Sequence, residues 1–162
     1  MALILKLKSR TRSLRLTAAA AILMVFATGM SYALSPEEQD ARAFSMEVAA
    51  PYLKKGFKLR AERWSGEISS GEKTPVKFQL FKGNEYWFWA GSSDENSTVK
   101  VNVYDADGNS VAVEKIKRVK GMGGVRVTPK KTGAYVAVVT ISSKSAASRG
   151  EKVGWALAYG YR

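Results

Sequence analysis

The chain has 162 residues, of which 26 are lysine or arginine and 14 are aspartate or glutamate, so its net charge at pH 7 is +12. It contains no cysteine and no histidine, which excludes disulfide bonds, a thiolate nucleophile, a Ser–His pair and an imidazole zinc ligand. The excess of positive charge favours anionic partners over cationic ones.

The first 33 residues are typical of a secretory signal peptide. A basic start precedes an apolar stretch from Leu16 to Ala27, and Ser31-Tyr32-Ala33 is a small-x-small cleavage motif. We therefore predict a signal peptide over residues 1–33 and a periplasmic or secreted protein that meets the membrane only before cleavage. Retention as an anchor stays open, because no charged residue occurs between Leu16 and Pro36.

A helix is predicted at the start of the remaining chain. The run Ser35-Pro36-Glu37-Glu38 has the spacing of a capping box with proline at the first helical position. Pro51 disfavours helix at the residue before it, so we predict one short N-terminal helix from about Pro36 to Ala50. This helix and its linker, residues 34–56, either cover the core or dock a partner.

Apolar and polar residues alternate in the rest of the chain, most clearly at 76–80, 99–103 and 134–142. Such alternation is typical of half-buried strands, and turn residues separate about eight of them. The connections are too short for crossover helices. We predict an all-β domain over residues 57–162, an antiparallel, jelly-roll-like β-sandwich. The predicted core contains Phe78, Leu80, Tyr86, Phe88, Val99, Val101, Val103, Val111, Val113, Val125, Val127, Tyr135, Ala137, Val139, Ile141, Trp155 and Leu157.

Three segments resemble the pre-peptidase C-terminal domains of secreted bacterial enzymes. Val76–Ala90 is similar to their opening strand, Lys-Gly turn and aromatic strand, and Val101–Val111 to the hairpin with an Asp-x-Asp-Gly turn that follows. Thr132-Gly133-Ala134-Tyr135 is similar to their closing strand, so the resemblance covers residues 61–161. It implies a small jelly-roll-like sandwich that aids export, folding or substrate contact. Because no enzyme is attached here, we expect the domain to act alone or in trans.

The aromatic strand Glu85–Ala90 carries a candidate binding surface. Trp87 and Trp89 share one face of this strand, whereas Tyr86 and Phe88 share the other. If only one face enters the core, the two tryptophans form an exposed platform on which a sugar ring can stack. The favoured interpretation is that both faces are covered, one by the opposing sheet and the other by the N-terminal helix or a loop, since large aromatic side chains are core material in a small domain.

Seven basic residues between positions 115 and 131 are interrupted by no acidic residue. Such a cluster attracts anionic polymers through long-range electrostatics; alternatively, its lysines protect an edge strand from pairing with another chain. No nucleic-acid recognition motif accompanies it, which argues against nucleic acid as the partner. The seven residues are Lys115, Lys117, Arg118, Lys120, Arg126, Lys130 and Lys131.

Asp105, Asp107 and Asn109 have the one-three-five spacing of a calcium loop. A complete loop of the EF-hand type also needs glycine at its sixth position and glutamate at its twelfth, where Ser110 and Ile116 stand. We therefore interpret the segment as a hairpin turn and keep a metal site as the alternative.

The sequence thus predicts a protein that is not an enzyme and needs no cofactor. The favoured function is an exported, non-catalytic binding or interaction module of the bacterial envelope or secreted fraction, with an unknown protein partner. The alternative is a protein that binds an anionic polysaccharide of the envelope, with Trp87, Trp89, Lys115, Lys117, Arg118, Lys120 and Arg126 as the binding residues.

Overall fold

Two antiparallel β-sheets pack face to face in the computed structural model, which describes residues 33–117 and 119–162. Residues Leu34–Arg162 form one compact unit, and the predicted signal peptide lies outside the described residues. The elements are α1 (Pro36–Leu53), β1 (Lys58–Leu59), β2 (Trp64–Ser69), β3 (Lys73–Leu80), β4 (Tyr86–Ser92), β5 (Thr98–Tyr104), β6 (Ala112–Lys115), β7 (Met122–Val127), β8 (Gly133–Ser142), α2 (Lys144–Arg149) and β9 (Lys152–Tyr161).

The six-stranded sheet has the order β1-β9-β4-β7-β6, with β2 also paired to β9, and the three-stranded sheet has the order β3-β8-β5. The registers of all these pairs are antiparallel. The predicted all-β sandwich with an N-terminal helix is therefore confirmed. Among the described residues, no helix is both long and apolar enough to cross a membrane.

The core lies between the two sheets and is centred on aromatic rings. Phe88 stacks on Tyr159 with ring centroids 5.6 Å apart, and Phe78 meets Phe88 edge-on at 4.9 Å. Most of the predicted core is buried, but Val111 is half-buried and Val113 is 57% exposed. The prediction fails for Val113 because β6 is a four-residue edge strand whose register shifts between Ala112 and Glu114, and a bulge of this kind breaks the alternation of faces.

Helix α1 begins at its predicted capping box, in which Ser35 and Glu38 bond each other's backbone N–H groups. It ends at Leu53, three residues later than predicted, with Pro51 inside its last turn. Proline removes a single hydrogen bond there. Tyr52 offsets this loss because its ring packs against that of Trp87, with the centroids 4.3 Å apart. The packing of this turn therefore outweighs the tendency of Pro51 to end the helix.

The helix lies directly on the outer face of the six-stranded sheet. Two glycines permit this close approach, because a Cβ at Gly91 would overlap the carbonyl oxygen of Ala41 and one at Gly154 would overlap that of Glu37. Helix and sheet together enclose a second apolar cluster, which includes Val48, Ala49, Phe57, Trp87 and Trp89. Of the two roles predicted for the helix, the structure shows that it covers the core.

Candidate functional site

The two tryptophans of β4 are not a surface platform. Trp87 is 3% exposed and Trp89 is fully buried, because α1 and the segment after it cover this face of the sheet. Phe57 meets Trp89 edge-on, with ring centroids 6.5 Å apart. Both faces of the aromatic strand are therefore covered, as the favoured interpretation predicts, and the alternative of Trp87 and Trp89 as exposed sugar-stacking residues is wrong.

The basic cluster of the sequence is divided between two ends of the sandwich. Strand β7 is extended and spans roughly 17 Å over its five steps, with Met122 opposite Gly91 at one end and Val127 opposite Tyr86 at the other. Lys117 and Lys120 belong to the turn that leads to Met122, Lys115 pairs with Val125 near the middle of β7, and Lys130 and Lys131 follow the Val127 end. Arg118 lies outside the described residues. The cluster is therefore not one continuous patch.

Arg126 lies between the lysines before β7 and those after it, and its side chain is paired with carboxylates. Its guanidinium lies 3.4 Å from Glu85 and 3.1 Å from Glu114, and its side chain is 28% exposed. A half-buried arginine with two carboxylate partners carries no uncompensated charge toward solvent. The antiparallel pairing of β6, β7 and β4 thus brings acidic residues to this arginine, and the binding of an anionic ligand by Arg126 stays a prediction.

A groove of about 430 Å³ runs between β5 and the segment 115–124, which contains the hairpin turn from β6 to β7. Its lining includes Lys100, Lys115 and Lys120 and, among the described residues, no aspartate or glutamate. We call it the basic groove. It combines two lysines of the predicted cluster with a third lysine from a different strand.

Strand β6 separates opposite charges between its two faces. Glu114 points to the face of the six-stranded sheet that carries α1 and there pairs with Arg126. Lys115, the next residue, points the other way, and its Nζ donates a 2.9 Å hydrogen bond to Oδ1 of Asn102 on β5. The alternation of the strand thus excludes the nearest carboxylate from the basic groove.

Two lysines of the groove donate hydrogen bonds to uncharged side chains. Lys120 Nζ donates to Oδ1 of Asn96 at 3.4 Å, as Lys115 Nζ does to Asn102 at 2.9 Å. An amide oxygen accepts the hydrogen bond but does not neutralise the ammonium charge. In the described part of the chain every salt bridge is made by an arginine, so no described carboxylate pairs with a lysine of the basic groove.

Close backbone packing forms the floor of the groove. A Cβ at Gly123 would lie 2.6 Å from the carbonyl oxygen of Val99, so only glycine allows β7 to approach β5 this closely. The neighbouring Gly124 similarly accommodates the side chain of Ile116, which would lie 2.6 Å from an added Cβ. The two glycines fix the width of the groove and the spacing of the lysines above it.

Asp94 holds the loop that carries Asn96. Its Oδ1 accepts the backbone N–H of Asn96 at 2.9 Å, and its Oδ2 accepts the hydroxyls of Ser143 at 2.5 Å and Ser145 at 3.1 Å. Burial raises the pKa of Asp94, but the hydrogen bonds from Ser143, Asn96 and Ser145 and the charge of Arg149 together outweigh it and lower that pKa below its usual value. The carboxylate is therefore ionised at neutral pH and acts as a fixed support for one end of the groove.

A larger groove, of about 810 Å³, lies at the opposite end of the sandwich and has both signs of charge in its lining, from Asp105, Asp107, Lys130 and Lys131. Asp105 Oδ1 accepts the backbone N–H groups of Asp107 at 3.0 Å and Asn109 at 2.8 Å. These bonds close the hairpin turn, which is the favoured interpretation of this segment. Within residues 33–117 and 119–162, no group of three or more acidic residues is placed to hold a metal ion.

Sequence reasoning missed Lys100, Asn96 and Asn102 as groove residues. The alternation of β5 does place Lys100 and Asn102 on the same outward face, so their exposure could be predicted. Their position beside the hairpin could not, because it depends on how the edge of one sheet lies against an edge of the other. Lys117, which was predicted, is exposed near the hairpin turn but does not line the groove.

No family model matches the chain, and no curated protein matches it. Among solved structures, it is similar to PliG of Aeromonas hydrophila, a periplasmic inhibitor of g-type lysozyme. The two share 21% sequence identity over 67% of this chain and 90% of PliG, with a TM-score of 0.45. The resemblance to pre-peptidase C-terminal domains stays a prediction.

Proposed function

We propose that the protein is an exported, non-catalytic binding module whose ligand is an anionic polysaccharide. The observation that carries this proposal is the basic groove, which contains Lys100, Lys115 and Lys120 without an acidic residue among its described lining. Export is supported by the signal-peptide pattern of residues 1–33. The absence of cysteine and histidine from the sequence removes thiolate nucleophiles and imidazole general bases and supports a binding role.

The hydrogen bonds of the groove favour an anion. Lys115 and Lys120 donate to the amide oxygens of Asn102 and Asn96, which are exchangeable partners of modest strength. A carboxylate or sulfate that replaces the amide keeps the hydrogen bond from the ammonium group and adds the attraction between opposite charges. The displaced asparagine amides are then free to bond hydroxyl groups of the same ligand.

A polysaccharide fits this surface better than a protein partner does. The centres of protein–protein interfaces are depleted in lysine and enriched in aromatic residues, methionine and arginine. The described lining of the groove contains three lysines and no aromatic residue, although Val119 and Met122 also line it, and the exposed Phe81 lies at the other end of the sandwich. A hydrated, charged polymer needs no apolar anchor.

The test is a binding titration with the purified protein expressed from its full gene. Polygalacturonate is the anionic probe and dextran the neutral one, each at low and at moderate salt. We expect binding to polygalacturonate alone, weakened by salt because exposed charges are screened. The double variant Lys115→Gln with Lys120→Gln should bind about tenfold more weakly, as expected for two lost exposed ion pairs.

The matched control is Lys58→Gln with Lys152→Gln, which removes the same charge from exposed positions on β1 and β9. It should change the affinity less than about twofold if long-range charge contributes little at moderate salt. Equal losses in both double variants would contradict a localised site. Failure to bind any anionic probe would overturn the polysaccharide ligand and leave a protein-interaction module as the function.

A further inference from the structure

The outer face of the three-stranded sheet is exposed to solvent, in contrast to that of the six-stranded sheet. Lys73 and Lys77 of β3 and Lys100 of β5 are exposed on it, and Val136 and Val138 of the central strand β8 are half-buried. Because side chains alternate along each strand, this face can be assigned completely. It consists of Lys73, Pro75, Lys77, Gln79, Ala134, Val136, Val138, Thr140, Ser142, Thr98, Lys100, Asn102 and Tyr104.

No residue of this face is acidic, and the face is continuous with the basic groove. Lys100 belongs to both, since it lies on the outward side of β5 and also lines the groove. Asn102 is a second shared residue, because it accepts the hydrogen bond from Lys115. A ligand in the groove can therefore extend onto the sheet without meeting a negative charge.

The strand register places a row of polar residues across the sheet, and this row begins at Lys100. Thr140 pairs with Lys100 on one side and with Lys73 on the other. Two strand spacings separate the two lysines, which places their Cα atoms about 10 Å apart. We call the line Lys100, Thr140 and Lys73 the basic row; it has an ammonium group at each end and a hydroxyl in the middle.

The neighbouring rows do not offer such a path. The next row consists of Asn102, Val138 and Pro75, and the one after it of Tyr104, Val136 and Lys77. Half-buried valines occupy the centre of both rows, so they offer neither charge nor a hydrogen-bonding group between their ends. Lys77 is thus separated from the groove by an apolar strip, although it is as exposed as Lys73.

We propose that a linear polyanion bound in the basic groove continues over the sheet along the basic row to Lys73. This inference rests on the proposed function and specifies its ligand as an extended chain with regularly spaced anionic groups. Each exposed lysine–carboxylate contact is weak, so useful affinity requires several contacts made by one chain, whose later contacts are intramolecular.

The experiment compares galacturonate oligomers of two to eight residues as probes for the purified protein. In the wild type, affinity should rise with length until the chain reaches from the groove to Lys73 and then level off. Lys73→Gln should lower the affinity for the long oligomers about twofold to fivefold, the contribution of one exposed ion pair. It should leave the disaccharide unaffected, because that oligomer is too short to leave the groove.

Two controls make the result specific. Lys77→Gln removes the same charge from the same strand but outside the basic row, and Lys152→Gln removes it from β9 on the other sheet. Both should bind oligomers of every length as the wild type does. The far-UV circular dichroism spectrum of each variant confirms folding, which the exposure of all three lysines leads us to expect.

The outcomes separate this inference from the proposed function. If Lys73→Gln equals the wild type at every length, or if Lys77→Gln loses as much affinity as Lys73→Gln, the path along the basic row is wrong, and the groove remains the binding site. If polyglutamate of matched length binds with the same dependence on Lys73, the path stands for polyanions in general and the restriction to polysaccharides is wrong. If no oligomer depends on Lys115 and Lys120, the proposed function itself fails.

Discussion

The two outer faces of the sandwich have opposite chemistry. The face of the six-stranded sheet presents Trp87 and Trp89 and lies beneath α1, with both indoles buried. The face of the three-stranded sheet presents valines between exposed lysines. Both outer faces thus carry apolar side chains at alternate strand positions. These side chains are buried on the six-stranded sheet, whereas on the three-stranded sheet they lie among solvent-exposed lysines.

The two faces also differ in whether their basic side chains are paired with carboxylates. On the α1 side, Arg126 lies between Glu85 and Glu114, and Arg162 also contacts Glu85. Planar guanidinium groups suit such fixed pairs, whereas lysine is a strongly hydrated point charge. On the other side the lysines have neutral neighbours. We infer that arginine contributes here to the structure of the domain, and that lysine provides its binding surface.

The largest expected effect is that of removing a tryptophan from the covered face. Trp89→Ala should lower the free energy of unfolding by about 3–5 kcal/mol, because it leaves a cavity between the sheet and α1. Val138→Ala on the exposed face should cost about 1 kcal/mol or less, since the substituted side chain is half-buried and little new cavity forms. Urea denaturation followed by circular dichroism measures both values.

Equal costs for Trp89→Ala and Val138→Ala would contradict this comparison, because they would show that the two faces are equally packed. Intrinsic tryptophan fluorescence offers a second check. The difference between the spectra of the wild type and Trp87→Phe should be that of a buried indole, and acidic oligosaccharides should leave this difference unchanged, since the indole lies beneath α1.

The next effect concerns the contact between helix and sheet. Gly91→Ala places a Cβ against the backbone of Ala41 and Ser45, and overpacking of this kind costs about 1–3 kcal/mol. Gly133→Ala is the matched control, because nothing lies within 4 Å of the added Cβ and its backbone is not left-handed. It should leave stability unchanged or raise it by up to about 1 kcal/mol through the unfolded chain. A neutral Gly91→Ala would show that α1 is not seated as closely as described.

The sequence allows most of this architecture to be predicted, because alternation and turn residues are local signals. It predicts β3 and β5 with the correct faces, so that the outward position of Lys77 and Lys100 follows directly from their parity. It predicts that the N-terminal helix or a loop covers Trp87 and Trp89, but it does not decide between the two, since the contact joins segments that are far apart in sequence. Nor does it predict the separation of Lys120 from Lys130, because neighbours in sequence lie far apart on an extended strand.

The smallest effect distinguishes structural charges from functional ones. Arg126→Gln leaves Glu114 without its partner and should cost about 1 kcal/mol or less, as for other partly exposed ion pairs. Lys115→Gln keeps a donor for Asn102 and removes a positive charge that no described carboxylate compensates, so stability should change by no more than about 0.5 kcal/mol. Urea denaturation at low and high salt measures both, and salt should reduce only the Arg126 effect.

The affinity for polygalacturonate should depend more on Lys115 than on Arg126, whereas stability should depend more on Arg126. Lys115→Gln should weaken binding although it leaves stability unchanged, whereas Arg126→Gln should lower stability and leave the affinity of the folded protein unchanged, because its guanidinium already has two carboxylate partners. A variant series in which stability and affinity fall together would show that the basic groove is part of the structural framework. If Lys115→Gln lowers only the affinity and Arg126→Gln lowers only the stability, the result would identify the lysine as a ligand-binding residue and the arginine as a structural one.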